Sequence, residues 1–170
     1  GSAVAMALPG IWFDQGHIAG TANTSNTMQA GLAAVVLSGS CSAMTNQQVA
    51  AYLARGGASL QLEPARLVRE GHAWAVDWLL GQDRDRAPIV YATAAPDVVR
   101  NAQQELGAAQ AGEAVESALA ACAVAARDMG VNRIVVAGGE TSGAVVKALD
   151  IAQLDIGREI APGVPWCHRT

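Results

Sequence analysis

The chain has 170 residues, 51% of them hydrophobic and 18 of them glycine, enough for one core without disulfide staples and too few for two full domains. A net charge of −4 with no run of Lys or Arg excludes the usual electrostatic attraction to nucleic acid or to an anionic membrane, and no apolar stretch is long enough to span a bilayer. The three cysteines, Cys41, Cys122 and Cys167, are odd in number and lack metal-ligand spacing, which points to a reducing compartment, read as the cytoplasm.

The apolar first ten residues begin at Gly1 rather than Met, and Cys167 to Thr170 carry neither a helix signal nor a tail. Both ends read as those of a piece of a longer protein. The segment Gly20, Thr21, Asn23, Thr24, Ser25, Asn26, Thr27 has the short polar side chains of a linker, so residues 1–33 are expected to close a preceding domain and residues 34–170 to form one further domain. Within the latter, Ala34 to Leu37, Ser59 to Leu62, Pro88 to Ala92, Arg133 to Ala137 and, more weakly, Leu154 to Ile156 read as buried strands.

Helical stretches separate them. Thr45 and Gln48 form an expected capping box before Val49 and Leu53, and Pro64 opens a helix that carries Leu67, Val68, Trp74 and Trp78. Asp83 to Arg86 reads as a solvated loop, and Pro96 opens a short helix. From Glu113 to Met129, apolar or small residues recur at 115, 119, 122, 126 and 129, with Glu113, Glu116, Arg127 and Asp128 left outside and Gly130 as the stop. Strands alternating with helices pair in parallel only through crossovers. The expected fold is therefore α/β: an open, mostly parallel sheet with helices on both faces, three-layer and Rossmann-like.

Ligands of such sheets sit at the carboxyl ends of the strands. The run Arg133-Ile134-Val135-Val136-Ala137-Gly138-Gly139-Glu140-Thr141-Ser142-Gly143-Ala144 reads as strand, glycine-rich turn and helix, whose first free N–H groups favour an anion. Thr141 and Ser142 can cap the helix or donate to phosphate oxygens, while Glu140 suits a magnesium ion, a water or a ribose hydroxyl. The turn is neither a Walker loop nor a dinucleotide fingerprint, and a tight turn of small residues that serves only packing is the alternative. A second corner, Ser38-Gly39-Ser40-Cys41-Ser42, follows the first strand, and a third, Thr93 to Asp97, lies on the same edge. His17, His72 and His168 fall in a linker, a helix and a terminus, so no base accompanies Cys41, and Cys167-His168 lacks further metal ligands. Trp74 and Trp78 read as core or interface.

With those turns the chain resembles the C-terminal, nucleotide-binding half of the four-carbon acid sugar kinases, in particular their 3-oxo-tetronate kinase branch. The residues that carry the resemblance are Val35 to Ser42 with Met44-Thr45-Asn46, Val136 to Gly143, Ile156-Gly157, and Pro162-Gly163-Val164-Pro165-Trp166. Gly1 to Met6 is similar to the end of that family's Thr-Gly-Gly-Ser-Gly segment, which implies a native Gly1-Ser2. The family continues to a Ser-Gly-Asn-Phe-Gly segment that this sequence does not reach.

The resemblance implies that Ser40, Gly138, Gly139, Glu140 and Thr141 bind ATP, with Ser38, Ser142 and Gly143 beside them. It also implies a Mg²⁺ ion and γ-phosphoryl transfer to a hydroxyl of 3-oxo-tetronate, threonate or erythronate. The catalytic base and the sugar-acid site are expected on an N-terminal half, so the fragment alone is expected to be inactive. No nucleic-acid or membrane partner is expected, and a homodimer is open. The alternative function is a non-catalytic module that senses a nucleotide or a sugar phosphate.

Overall fold

The computed structural model describes residues 2–19, 33–95, 99, 100, 104, 106–161 and 164–169, with side chains from residue 8 onward. In chain order the elements are α1 (Ser2–Asp14), β1 (Ala34–Ser38), α2 (Ala43–Ala54), β2 (Ser59–Gln61), α3 (Pro64–Glu70), α4 (Ala73–Leu80), a 3-10 turn (Arg84–Arg86), β3 (Ile89–Tyr91), α5 (Ala108–Asp128), β4 (Arg133–Ala137), α6 (Gly139–Ala148), β5 (Leu154–Ala161) and β6 (Val164–Arg169). They form two compact units, Ala30–Ile151 and a smaller one made of Gly1–Gln29 with Ala152–Thr170.

The larger unit is built on four parallel strands in the order β2-β3-β1-β4. Val36 stands opposite Ile89 on one side and Val135 on the other, so β1 is central. Alternation along the strands sends Val35, Leu37 and Val90 to one face, where they meet Leu67, Leu79, Leu119, Cys122, Val145 and Leu149 from α3, α4, α5 and the end of α6. Trp74 and Trp78 pack against this cluster, and the Arg66 guanidinium lies 4.0 Å above the Trp74 ring. Ala118, Ala123 and Ala126 are fully buried, and their small side chains let α5 lie close to the sheet. The opposite face carries Val36, Ile89 and Tyr91, which pack with Val49 and Tyr52 of α2 among the described residues. Beyond the reach of α2, Val135 of β4 is 45% exposed. The open, mostly parallel three-layer α/β fold read from the sequence is the fold of this unit.

The smaller unit holds α1 and an antiparallel ribbon in which Ile156 of β5 faces Cys167 of β6. Several sequence expectations need correction here and above. Leu154 to Ile156 is a strand, but it is largely exposed and joins β6 rather than the parallel sheet; Arg158 and Glu159 on the same strand are incompatible with burial on both faces. Cys167 to Arg169, read as carrying no helix signal, carry none and lie in β6, and the apolar start, to which the sequence reading assigned no element, is helical. The cap of α2 is Ser42, whose Oγ accepts from the Thr45 amide at 3.1 Å, rather than Thr45, which is buried one turn later. Gly71, at φ 74°, splits the single helix expected from Pro64 to Trp78 into α3 and α4, and His72 stands at the N-terminal boundary of the second without a side-chain capping bond. α5 starts at Ala108, five residues before the predicted Glu113. The predicted linker around Gly20 to Thr27, the Pro96 helix start with Asp97, and Pro162-Gly163 lie outside the described residues. No helix among the described residues is long and apolar enough to cross a membrane.

Candidate functional site

Neighbouring strands β1 and β4 lead into helices on opposite faces of the sheet, α2 and α6, which opens a crevice at their carboxyl ends. Backbone bonds hold the two exits together: the amides of Gly39 and Ser40 both donate to the Ala137 carbonyl, at 3.0 and 3.1 Å. Thr93, beyond β3, ties in the third exit. Its Oγ1 donates to the Ser40 carbonyl at 2.7 Å, so at the 2.7 Å contact with Ser38 it is the Ser38 hydroxyl that donates.

The corner that follows β4 depends on glycine. Gly138 has φ 122°, and a Cβ there would lie 3.1 Å from Thr141 Oγ1 and 3.2 Å from the Ser40 amide. A Cβ at Gly39 would run into Thr141 Oγ1 from the other side. The buried Thr141 hydroxyl is thus clasped between the two corners, which converge as one rim. At Gly139, by contrast, a Cβ would meet no atom within 4 Å.

Hydrogen-bond capacity at this rim is partly spent and partly free. Ser142 donates both its amide and its hydroxyl to the Gly138 carbonyl, at 2.9 and 2.7 Å. The amides of Gly139, Glu140 and Thr141, the first turn of α6, have no carbonyl partner among the described residues. Ser40 Oγ accepts from the Ser42 amide at 3.3 Å and from Thr45 Oγ1 at 3.0 Å, which leaves its own proton to donate. Three amides and one hydroxyl, at the positive end of a ten-residue helix, make a place for an anion.

These groups border a cavity of about 690 Å³ that runs across all four strand ends. Of the eight residues singled out in the sequence, Ser40, Gly138, Gly139, Glu140 and Thr141 line it. Ser38 is buried beneath, bonded to Thr93; Ser142 is turned back on Gly138; Gly143 is exposed on α6 outside the lining. Sequence reasoning missed two further walls. One is Gln61 to Ala65 at the end of β2, which the strand-end rule should have flagged; the other is Ala111, Gly112, Val115 and Glu116 on α5, where Glu116 had been assigned to solvent. Glu63, Glu116 and Glu140 are the charged residues of the lining, which includes no Lys, Arg or His among the described residues.

The cysteines separate by environment. Cys41 lines the cavity, its Sγ 3.9 Å from the carbonyls of Gly39 and Ala92. Burial without a charged partner pushes the Cys122 thiol up to about 12, which leaves it about a thousandfold less thiolate than an ordinary cysteine at pH 8. Mass-spectrometric footprinting with iodoacetamide at pH 8 is therefore expected to label Cys167, which is exposed, and to spare Cys122 while the chain is folded. Labelling of Cys122 at the Cys167 rate would contradict the packing of α5.

A family model described as the nucleotide-binding C-terminal domain matches residues 35–170. The chain is 40% identical to a 3-oxo-tetronate kinase of Pectobacterium atrosepticum, covering 100% of this chain and 41% of that protein. It is 42% identical to one of Salmonella typhimurium (99% and 40%) and 44% identical to one of Burkholderia multivorans (97% and 39%). It spans about two fifths of the length of these curated relatives. Among solved structures, a Haemophilus influenzae protein of the DUF1537 family matches with a TM-score of 0.79 at 37% identity, over 88% of this chain and 37% of that one. A Salmonella typhimurium LT2 structure named as a tRNA synthase matches with a TM-score of 0.80 at 39% identity, over 99% and 40%.

Proposed function

The chain belongs to the family of nucleotide-binding C-terminal domains, and from that premise we propose that it holds the ATP of a kinase that phosphorylates a hydroxyl of a four-carbon sugar acid. The first choice of acceptor is 3-oxo-tetronate, the substrate named for the relatives, with threonate and erythronate next. One observation carries the reading: the unpartnered amides of α6, the free proton of Ser40 and the bare Gly139 face a single cavity whose volume suits a nucleotide.

In this reading the amides of Gly139, Glu140 and Thr141 donate to phosphate oxygens and Ser40 Oγ adds a fourth donor. Gly138 turns the backbone so that these amides aim together, and Thr141, Ser38, Ser142 and Thr93 hold the corners from behind. Phosphoryl transfer asks little covalent chemistry of a protein and much positioning and charge stabilisation, which fixed dipoles supply without reorganisation. When bound, Mg²⁺ would neutralise phosphate charge. Glu140, exposed beside the free amides, is the carboxylate placed to hold it, and no group of three candidate ligands exists among the described residues, so the ion is taken to arrive with the nucleotide. The acceptor site and the base that activates its hydroxyl belong to the part of the relatives that this chain does not match. The synthase name of one neighbour is not carried over to this chain, whose curated relatives are named as 3-oxo-tetronate kinases.

Titration calorimetry is expected to show saturable binding of Mg·ATP and Mg·ADP and weaker binding of sugar phosphates. In the full-length protein, a coupled ADP-release assay should respond to 3-oxo-tetronate before threonate or erythronate. Nucleotide binding without acceptor-dependent ADP release would favour the sensing module, and no nucleotide binding at all would sink the reading.

A further inference from the structure

The cavity is larger than a phosphate chain requires, and its walls differ in chemistry. One wall is the amide corner at Gly139; others are the mostly apolar stretch Leu62, Pro64 and Ala65 leading into α3, with Glu63 between them, and Ala111, Gly112 and Val115 on α5, with Glu116 beside them. Positions 111, 112 and 115 fall on one stripe of a 3.6-residue helix, so a single face of α5 borders the cavity.

Gly112 is out of place on that stripe. It lies inside a 21-residue helix, where only proline is less favourable than glycine. Its backbone is helical, without a positive φ, and a Cβ built on it would meet no atom within 4 Å. Among the described residues neither backbone twist nor packing calls for the missing side chain, yet alanines occupy positions 108, 109, 111 and 114 of the same helix. The cavity that Gly112 lines gains room from its absence. Gly139, in the same lining, shows the same unfilled Cβ position.

We infer that the apolar walls formed by Leu62, Pro64, Ala65 and Val115 receive the base of the nucleotide and that Gly112 is the position whose missing side chain admits it. This rests on the nucleotide reading above and deepens it. A flat heterocycle matches walls made of Leu62, Pro64, Ala65 and Val115, and the ribose would span the distance from there to the phosphates at Gly139. Gly112 is thereby a specificity-determining residue that acts on the base and leaves the polyphosphate untouched.

The test compares Mg·ATP with Mg·tripolyphosphate, which keeps the phosphates and lacks the base, on the 170-residue chain and on Gly112→Leu and Gly112→Ala. Leucine and alanine both favour the helix, so melting temperatures no lower than the parent's are expected. Gly112→Leu should weaken ATP about tenfold or more and change tripolyphosphate affinity by less than about twofold; the smaller Gly112→Ala should shift the ATP-to-tripolyphosphate ratio in the same direction. If the leucine variant fails to fold, the ratio for the alanine variant decides. A parent that binds ATP and variants that bind it equally well overturn the base assignment alone. Equal losses of ATP and tripolyphosphate overturn it too, because the residue then acts on the phosphates or on the corner. A parent that binds no nucleotide overturns this inference together with the function proposed above.

Discussion

Gly139→Val is expected to abolish nucleotide binding while leaving the fold intact. The residue opens α6 without a positive φ, and a Cβ there meets nothing within 4 Å, so the chain accommodates a branched side chain at no packing cost. That side chain would fill the space directly before the free amides. Hydrogen bonds to charged groups contribute about 1.5–3 kcal/mol each, so blocking two of them should weaken Mg·ATP about a hundredfold or more. Calorimetry alongside a thermal melt checks both halves of the expectation. Gly138→Val provides the contrast: at φ 122°, with Thr141 Oγ1 and the Ser40 amide at 3.1 and 3.2 Å from the new Cβ, it should cost stability as well as binding. A folded Gly139→Val variant with parental affinity would place the phosphates somewhere else.

Leu119→Ala should be the most damaging single truncation in the larger unit. The side chain is fully buried among Val35, Leu37, Val90 and Cys122, and its Cδ1 lies 3.3 Å from where a Gly39 Cβ would be. Removing buried Leu atoms costs about 2–5 kcal/mol, a large part of the 5–15 kcal/mol that typically separates folded from unfolded states. The void would open directly beneath the first corner, so nucleotide affinity should fall with stability. Urea unfolding followed by circular dichroism measures the first effect. A shift below about 1 kcal/mol would mean that α5 does not seat on β1 as described.

The corner at Gly138 was readable because its signals are local: a β-branched strand, two glycines and the hydroxyl-rich start of a helix. That it meets the Ser40 corner is a property of strand order, and nothing in the spacing of the apolar runs says that β1 lies between β3 and β4. The same limit explains the missed walls. Val115, Leu119 and Cys122 announce the core face of α5 by their periodicity, whereas Gly112 and Glu116 lie on its shoulder and acquire meaning only once α3 is known to stand opposite. Ser42 and Thr45 are equally good caps by composition; the burial of Thr45 under the Ser40 corner decides between them. β5 was recognisable as extended, but its partner could not be read from a segment whose antiparallel mate carries Pro165 and Trp166 in place of a simple apolar run.

In the proposed reading the rim holds anions through peptide dipoles and hydroxyls, with no basic side chain among the described residues of the lining, so there is no cationic side chain to deprotonate. Its pull on a polyanion would be set by the backbone geometry at Gly138. Such a grip is governed by shape, and selection acting on it would register first in torsion angles.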